Sequence, residues 1–481
     1  MARRRRDDTE APRRKNYDRD DSGANRSGRD RPGRGGSRGD GRRPVRRAPK
    51  RRGVPADSID PALLDRDAKR VVTRLQQAGF EAYFVGGCVR DLLIGRRPKD
   101  FDVATDARPA EIRRLFRNCR IIGRRFKLAH IFYGDHIIET ATFRAEPKDQ
   151  PGDDDELLIV DDNEYGSAES DARRRDFTVN ALFLDPTTHE IMDFVDGLGD
   201  LKERALRTIG DPEVRLAEDP VRILRAIKFS ARLDLEISDP TWDAMCELAD
   251  DLEKAAPPRV LEEILRLCRS GTAVAAFQMM RDCGALAVLI PQLEEFLGYE
   301  DDIPERAEPF WDLLGALDAR VRSKLPTPTT GVLIALLFAL PFQFALVEHS
   351  EDETEDAPAR LPDARSRASV AWEVLQPLSE ATRLSRKDFA RARRVLVAQQ
   401  NFTHPPERFS EVLFARSEEF DEALTLFDLH SQARGVGSDI VEAWRERRER
   451  ASMAPHDEIE GERRRTRKKR RRRKRRRSGD R

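Results

Sequence analysis

The hydrophobic pattern of this chain changes at Asp196-Gly197, and this change restricts the possible folds more than any other feature. Before it, short runs of β-branched and aromatic residues alternate with segments whose apolar residues recur every three to four positions. After it, only the helical spacing remains. This order predicts an α/β head followed by all-helical domains.

The predicted elements follow from the same patterns. Asp60-Pro61 is typical of a helix start, with an N-cap residue followed by proline at the first helical position. Gly134-Asp135 predicts a hairpin turn. Strands are predicted at 82–85, 120–122, 127–133, 137–143, 182–185 and 191–195, and helices at 61–78, 110–117, 219–232, 240–251, 257–269, 272–283 and over most of 306–450.

Basic residues are concentrated at the two ends of the chain. Residues 1–53 contain 20 Lys or Arg and 8 Asp or Glu, and residues 463–481 contain 15 and 1. The whole chain has a formal net charge of only +1, so the region between these ends carries −25. Segments with many like charges and few apolar residues are typically disordered. We therefore expect a disordered Arg/Gly-rich arm at 1–58 and a disordered Arg/Lys-rich tail at 456–481.

The spacing of the cysteines and the length of the longest apolar run predict the cellular compartment. The chain has 5 cysteines, an odd number, and no Cys-x-x-Cys pair, which argues against a disulfide framework and a zinc site. The longest apolar run, 332–340, is much shorter than the ~20 residues that a membrane span needs, and we expect it to form a buried helix. We expect a cytoplasmic protein with no transmembrane segment and no signal peptide.

The first segment whose residues suggest a chemical function is the Gly86-Gly87 pair, which lies between a predicted strand and a predicted short helix. Paired glycines allow backbone N–H groups to approach a polyphosphate, and Arg90 is placed to add a bidentate phosphate contact. A tight turn without a ligand is the simpler interpretation, because the spacing matches neither G-x-G-x-x-G nor a P-loop.

Asp100-Phe101-Asp102 is the second segment. Residues i and i+2 of a strand point to one face, so both carboxylates project together while Phe101 enters the core. Two convergent carboxylates suit Mg²⁺, which completes its coordination with substrate phosphates, although a D-x-D pair alone is usually a solvated strand edge. Glu139, in a strongly β-prone run, either joins them as a third carboxylate or lies on the exposed face of an edge strand.

Two arginine-rich segments follow. In the segment 173–181, three arginines precede Asp176 and Asn180, a set that either clamps the phosphate and sugar of a nucleotide or forms a surface ion-pair network. In the segment 218–225, Asp219 is suited to be a helix N-cap. Arg222 and Arg225 share one helix face, which is either a solvated stripe or a surface for contacts with a nucleotide.

Four motifs then stand in a recognisable order: G-G-x-V-R-D at 86–91, D-x-D at 100–102, R-R-D-F-T-x-N-A at 174–181 and E-D-P-x-R-x-x-R at 218–225. Together they resemble the bacterial class II nucleotidyltransferases, a family that comprises CCA-adding enzymes and poly(A) polymerases. The resemblance covers roughly residues 60–300. It implies a polymerase-β-like nucleotidyltransferase head with a mixed sheet and helices, followed by helical neck and body domains.

The resemblance also implies roles for individual residues. Asp100 and Asp102 would bind two Mg²⁺ ions with Glu139 at the third-carboxylate position, and Asp176 is a further acid counted with the catalytic residues. ATP would be the substrate. The nucleotide-binding residues would be Gly86, Gly87, Arg90, Arg175, Arg222 and Arg225, with Asp219 assisting Arg222 in selecting the base.

The segment 121–130 distinguishes the two branches of the family. It resembles the segment typical of poly(A) polymerases, and it lacks the G-x-x-H-G-T-like stretch that CCA-adding relatives tend to have. We therefore predict a template-independent poly(A) polymerase that transfers AMP from ATP to RNA 3′ ends, releases pyrophosphate and promotes RNA turnover. A CCA- or A-adding tRNA nucleotidyltransferase is the alternative. A non-catalytic RNA-binding protein that uses its basic ends is a third hypothesis.

These predictions divide the chain into a head at 59–200, a neck for base and RNA binding at 201–300, and a helical RNA-binding region at 301–455. The expected partners are ATP and single-stranded RNA 3′ ends. An acidic body should repel RNA, so the basic arm and tail are expected to supply affinity through counterion release. The tail is also a candidate site for RNA-degradation proteins.

Overall fold

The computed structural model describes residues 53–123, 127–145, 164–298, 304–351, 363–405, 409–455, 460–462 and 464. Most of the predicted arm and almost all of the predicted tail lie outside these residues. Residues 124–126 of the segment that favours the poly(A) branch also lie outside them.

The head is built on a mixed sheet. Within the described residues, eight strands pair in the order β1-β8-β7-β2-β3-β6-β5-β4, and a separate two-stranded parallel sheet pairs β9 with β10. The strands are β1 (Val54–Pro55), β2 (Ala82–Val85), β3 (Asp102–Thr105), β4 (Cys119–Ile122), β5 (Leu128–Tyr133), β6 (His136–Thr142), β7 (Phe183–Asp185), β8 (Glu190–Met192), β9 (Ala205–Leu206) and β10 (Glu236–Ile237).

Helices cover the sheet and form the rest of the described chain. In the head and neck they are α1 (Arg66–Gln77), α2 (Gly87–Leu93), α3 (Pro109–Leu115), α4 (Ala168–Arg173), α5 (Gly197–Glu203), α6 (Pro212–Glu218), α7 (Val221–Leu233), α8 (Asp239–Glu247), α9 (Pro257–Cys268), α10 (Ala273–Asp282), α11 (Ala285–Leu289) and α12 (Pro291–Gly298). Further along they are α13 (Pro304–Arg322), α14 (Thr330–Leu337), α15 (Ala339–Glu351), α16 (Ala364–Thr382), α17 (Arg386–Ala398), α18 (Gln400–Thr403), α19 (Glu411–Ala415), α20 (Phe420–Arg434) and α21 (Ser438–Met453). The predicted combination of a mixed α/β head with all-helical domains is confirmed.

The first described residues differ from the prediction in two places. Asp60 caps only a short 3-10 helix, and the side chain of Asp65 instead accepts hydrogen bonds from the backbone N–H groups of Asp67 and Ala68 to begin α1. Val54, which was assigned to the arm, pairs with Ile191 at the edge of the sheet. The unsatisfied backbone groups of an edge strand explain this pairing, which the sequence of the arm does not indicate.

Strand register brings the D-x-D segment next to the Gly-Gly turn. Val85, the last residue of β2, is opposite Asp102, the first residue of β3, because these two strands are antiparallel. On its other side β3 is parallel to β6, with Val103 opposite Thr140. Asp102 and Glu139 therefore occupy equivalent positions on neighbouring strands, at the same end of the sheet as the turn that follows β2.

The head and the helical region have separate apolar cores. One buried cluster lies under the sheet and contains Phe84 and Val103. A second cluster begins at Phe177, inside the R-R-D motif, and continues without a break across the predicted neck boundary to Leu429 in α20. The R-R-D segment is thus anchored in the core of the helical region, which couples the head to α7.

The apolar run 332–340 lies in α14 and at the start of α15, and its side chains are buried in this second cluster. Among the described helices, none is both long and apolar enough to cross a membrane by itself. The bent pair Thr330–Leu337 and Ala339–His349, with 53° between its axes, satisfies that test of length and composition only as a pair.

Candidate active site

The turn after β2 requires glycine. Gly86 has φ +74°, a conformation that residues with a Cβ rarely adopt, and an added Cβ would lie 3.0 Å from Nη1 of Arg175. Gly87, the first residue of α2, has Nη2 of Arg90 3.5 Å from its ideal Cβ position. The absence of side chains therefore allows two guanidinium groups to approach the turn.

Asp100, Asp102 and Glu139 lie at the same end of the sheet, and their charges are coupled. Burial and the negative charges of Glu139 and Asp100 together raise the pKa of Asp102 to about 6, against the opposing effect of Arg175. Asp102 keeps access to solvent at the end of the strand while protein atoms crowd its carboxyl group, and no hydrogen bond from a described residue offsets the shift. The cluster is an electrostatically unfavourable group of carboxylates with one cation beside it.

The carboxylate oxygens of these three residues are ligands of a kind that can bind a magnesium ion. Mg²⁺ prefers oxygen ligands and is usually bound by one or two carboxylates, with water and substrate phosphates completing the shell. Among the described residues, however, no three acidic, histidine or cysteine side chains are close enough together to hold a metal ion. The structure therefore brings the predicted carboxylates to one place without forming a closed cage, and the metal-binding assignment stays a prediction.

Glu139 also has a neighbour that the sequence did not indicate. His130 lies opposite it on β5, and the distance between His130 Nε2 and Glu139 Oε1 is 3.4 Å. Glu139 is half exposed, so its carboxylate is accessible from solvent rather than buried in the core.

Arg175 is the arginine closest to both the turn and the carboxylates. Its Nη2 atom donates to Asp171 Oδ2 at 3.0 Å, and its guanidinium lies over the ring of Phe183, with 5.3 Å to the ring centroid. Its Nη1 atom donates to the backbone oxygen of Asn180 at 3.5 Å and lies beside the Gly86 turn, and its positive charge acts on Asp102.

Arg90 occupies a different environment from the one that the sequence suggests. Only 2% of it is exposed. Its Nε atom donates to Asp91 Oδ1 at 3.0 Å, its Nη1 atom donates to Asn180 Oδ1, and its guanidinium lies over the ring of Phe229. Burial lowers the pKa of Arg90, and Asp91 opposes this effect. Its nucleotide-binding role stays a prediction, and its described contacts join the head to α7.

Asp176 is surrounded by donors. Its Oδ1 atom accepts from the backbone of Phe177 at 2.9 Å and from Asn180 Nδ2 at 3.1 Å, and its Oδ2 atom accepts from Arg225 Nε and Nη2 at 2.9 and 2.5 Å. Burial alone would raise the pKa of Asp176, but Arg225 and these hydrogen bonds bring it below its ordinary value. Such a carboxylate is suited to position Arg225, and its catalytic assignment stays a prediction.

The arginines of the E-D-P-x-R-x-x-R motif are not a solvated stripe. Arg222 is buried, and its Nη1 atom donates to Glu218 Oε2 at 3.1 Å and to the backbone oxygen of Arg215. Arg225 is 31% exposed and paired with Asp176. The apolar residues of α7 are buried on the other side, so most of this helix is enclosed and Arg225 stays partly exposed.

Asp219 does not cap α7 with its side chain, contrary to the expectation from its position before Pro220. The carboxylate instead accepts from Arg259 Nη2 of α9 at 2.7 Å. The prediction failed because a cation from another helix, which a local pattern cannot reveal, competes for the same carboxylate. The roles of Asp219 and Arg222 in base selection stay predictions.

Several residues that stabilise this region through ion pairs were not among the predicted site residues. Lys228, Glu263, Arg232 and Arg259 contribute buried or interface ion pairs. The only signal was the presence of single charges inside otherwise apolar helical segments, such as Lys228 between Ile227 and Phe229. A charge of this kind requires a partner when it is buried.

Replacing Gly86 with alanine tests whether the turn sets the position of Arg175. We expect at least a tenfold loss of turnover, because a Cβ displaces the Arg175 guanidinium and a misplacement of about 1 Å costs up to ~10²-fold in rate. Gly79→Ala is the matched control, since Gly79 also has a positive φ, +87°, but has no atom within 4 Å of the added Cβ. Equal effects of both substitutions on turnover at equal folded fractions would contradict the argument.

The site combines a glycine turn, a strand that begins with a D-x-D carboxylate, a third carboxylate on the neighbouring strand and helices that carry arginines. This combination agrees with the predicted nucleotidyltransferase head followed by a helical body. Residues 82–207 match the family described as the poly A polymerase head domain. Residues 234–297 match the family described as the probable RNA and SrmB-binding site of polymerase A. Over these residues the chain is similar to a family that comprises poly(A) polymerases and tRNA nucleotidyltransferases.

Individual relatives come from both branches of this family. The poly(A) polymerase I of Haemophilus influenzae is 45% identical over 300 residues, which are 61% of this chain and 65% of that protein. A CCA-adding enzyme of Lactobacillus delbrueckii subsp. bulgaricus is 35% identical over 257 residues, which are 52% of this chain and 63% of that enzyme. The chain thus spans just under two thirds of the length of these curated relatives.

The fold has a counterpart of known structure. The crystal structure of the Bacillus stearothermophilus CCA-adding enzyme in complex with CTP superposes with a TM-score of 0.56 at 25% identity. The superposition covers 79% of this chain and 81% of the other. The nucleotidyltransferase head and the helical region that follows it are therefore arranged along the chain as in this structure.

Proposed function

We propose that this protein is a polynucleotide adenylyltransferase that adds AMP from ATP to RNA 3′ ends without a template strand and releases pyrophosphate. The observation that carries the proposal is the arrangement of Asp102, Glu139 and Arg175 around the Gly86 turn, inside a region that matches a poly(A) polymerase head. The similarity to Haemophilus influenzae poly(A) polymerase I supports adenylate as the transferred group.

In this reaction the 3′-hydroxyl oxygen of RNA attacks the α-phosphorus of ATP, and the bond to the pyrophosphate oxygen breaks. Magnesium, held by Asp100 and Asp102 with Glu139 as a third candidate, would supply the positive charge that such a transfer needs at the attacking and leaving oxygens. Arg175 binds phosphate oxygens from the side of the glycine turn. Arg225 of α7, which is held by Asp176, supplies further positive charge from the side of the helical region.

The base of the nucleotide is selected by protein side chains, since the reaction uses no template. Asp219 and Arg222 are the proposed residues, through hydrogen bonds to the edge of adenine. Each is held by a charged partner, Arg259 for Asp219 and Glu218 for Arg222. Such partners limit the rotamers of the selecting groups, which favours recognition of a single base.

RNA is the proposed second substrate. Support comes from the match of residues 234–297 to a probable RNA-binding family and from the surplus of basic residues at 463–481, which lie outside the described part of the chain. We propose that this tail contributes counterion-release affinity for RNA and contacts RNA-degradation proteins. We place the reaction in the cytoplasm, where the five free cysteines, three of them buried, remain reduced.

The proposal is tested by incubating the purified chain with a labelled, unstructured RNA oligonucleotide, Mg²⁺ and each nucleoside triphosphate separately. We expect ATP alone to give a ladder of extended products together with stoichiometric pyrophosphate. Binding of RNA without extension under all four conditions would support the non-catalytic RNA-binding hypothesis instead.

A CCA- or A-adding tRNA nucleotidyltransferase remains the second candidate. The 35% identity to a CCA-adding enzyme and the superposition on a CTP complex favour it specifically. The two activities differ in the nucleotide that is incorporated first on a tRNA that lacks its 3′ end, since only a CCA-adding enzyme begins with CMP.

A further inference from the structure

Glu263 of α9 is a buried carboxylate that faces three cations. Its side chain is 6% exposed. Oε2 accepts from Lys228 Nζ at 2.6 Å, Oε1 accepts from Arg266 Nη1 at 2.8 Å, and Arg225 Nη1 lies 3.8 Å from Oε1. Lys228 and Arg225 belong to α7, so this single carboxylate joins α9 to the helix of the E-D-P-x-R-x-x-R motif.

The contacts continue from Glu263 to the glycine turn. Arg225 donates two hydrogen bonds to Asp176, Asp176 accepts from Asn180, and Asn180 accepts from Arg90 beside Gly87. Every link joins a charged or amide group to the next one, and most members are buried. Such a network has few alternative arrangements, because any rotated member leaves a buried partner unsatisfied.

Three cations also surround the ring of Phe229. The charged groups of Arg90, Arg225 and Lys228 lie 5.1, 5.4 and 4.9 Å from its centroid. The ring holds these groups apart while Glu263 neutralises part of their charge from the α9 side. Arg225 is the most exposed of the three, so it is the cation that a bound ligand can reach most easily.

We propose that Glu263 is a positioning residue for the nucleotide site: it fixes Arg225 in the rotamer in which Arg225 contacts the phosphates of the bound nucleotide. This inference rests on the proposed function, because it assigns Arg225 to the nucleotide. A residue that only neutralised buried Lys228 would stabilise the fold without affecting the affinity for ATP, and the two roles are separable by experiment.

The test measures ATP affinity by calorimetry, without RNA, for Glu263→Gln in three backgrounds: the natural chain, Lys228→Met and Arg225→Met. In the natural chain we expect the Kd for ATP to rise about tenfold, since coupled neighbours interact by several-fold to about a hundredfold in affinity. The increase should persist with Lys228→Met and disappear with Arg225→Met. Glu262→Gln is the matched control, because Glu262 is the preceding residue, pairs with the same Arg266 and is half exposed.

Thermal unfolding of every variant separates affinity from folding. We expect Glu263→Gln to lower the Tm because Lys228 is left uncompensated, and Lys228→Met to restore part of the Tm without restoring the affinity. If Lys228→Met restored the affinity as well, or if the effect of Glu263→Gln persisted with Arg225→Met, the positioning role would be wrong.

The same variants distinguish this inference from the proposed function. In RNA extension assays, a raised KM for ATP with kcat within about threefold is expected for Glu263→Gln. A chain that binds ATP and shows the Arg225 coupling but never extends RNA contradicts only the proposed function. A chain that extends RNA with ATP but shows no coupling contradicts only this inference, and a chain that does not bind ATP contradicts both.

Discussion

Asp102→Asn is expected to reduce AMP transfer to RNA by at least ~10³-fold, which corresponds to about 4 kcal/mol of lost transition-state stabilisation. The amide keeps the size of the side chain but removes the charge at the position where β3 meets both the glycine turn and Glu139. Extension of a labelled RNA primer at saturating ATP measures the effect.

The same substitution should raise the thermal stability of the protein in the absence of Mg²⁺. The folded state raises the pKa of Asp102 from 3.8 to about 6, so it favours the protonated carboxyl. The stability that this provides is present below pH about 4 and is lost as the pH rises through about 6. At pH 7.5 the charged carboxylate therefore opposes folding, and asparagine removes this cost. Because Asp102 is solvent-accessible, we predict only the direction of the change in Tm.

Magnesium should reverse the order of thermal stability of the natural chain and the Asp102→Asn variant. Adding Mg²⁺ is expected to raise the Tm of the natural chain and to leave the Asp102→Asn variant nearly unchanged, since binding stabilises only a state that holds the ion. Asp106→Asn is the matched control: burial also raises the pKa of Asp106 to about 6, but it lies beyond the far end of β3 and accepts from the backbone of Glu81. Retained transfer in Asp102→Asn, or an equal loss in Asp106→Asn, would contradict the assignment.

Asp176→Ala is expected to give the largest loss of stability among the site variants, about 2–4 kcal/mol. The substitution leaves the Arg225 guanidinium, the Asn180 amide and the Phe177 backbone N–H without their shared acceptor. The lower end of the range allows for the partial exposure of Arg225. Denaturant unfolding at pH 7 measures the change.

The double variant Asp176→Ala/Arg225→Met identifies the cause of this loss of stability. If the loss arises from the uncompensated guanidinium, the double variant should be more stable than Asp176→Ala, while transfer remains low in both. A double variant as unstable as the single one would show that the loss comes from packing rather than from charge.

Lowering the pH should reduce the free energy of unfolding of the natural chain more than that of the Asp176→Asn variant. The folded state lowers the pKa of Asp176 because of Arg225 and its hydrogen bonds, so its contribution is present above the ordinary carboxyl pKa and lost as the pH falls below it. The difference in the free energy of unfolding between the two proteins should therefore shrink as the pH falls below about 4.

The sequence predicts the head more closely than the contacts of its site. Residues 82–85 form a strand with the predicted bounds, and the hairpin at Gly134-Asp135 joins β5 to β6, because period-2 alternation and turn residues are local signals. The start of α1 was displaced by five residues, since both Asp60 and Asp65 are good caps and only packing of the helix under the sheet selects the second.

The partners of the charged site residues could not be predicted, because they lie far away along the chain. Arg90 pairs with Asn180, 90 positions later, and Asp219 pairs with Arg259 of another helix. Helical periodicity indicated that Arg222 and Arg225 share a face, but it could not indicate that the face is covered. Exposure depends on the tertiary arrangement of α6, α7 and α9, which single motifs do not specify.

The most direct test of the central claim is the product formed on a tRNA that lacks its 3′ end when all four nucleoside triphosphates compete at equal concentration. The account predicts heterogeneous tracts of A, with no CMP at the first position and with complete dependence on Asp102. Addition of two CMP residues and one AMP followed by arrest would contradict it.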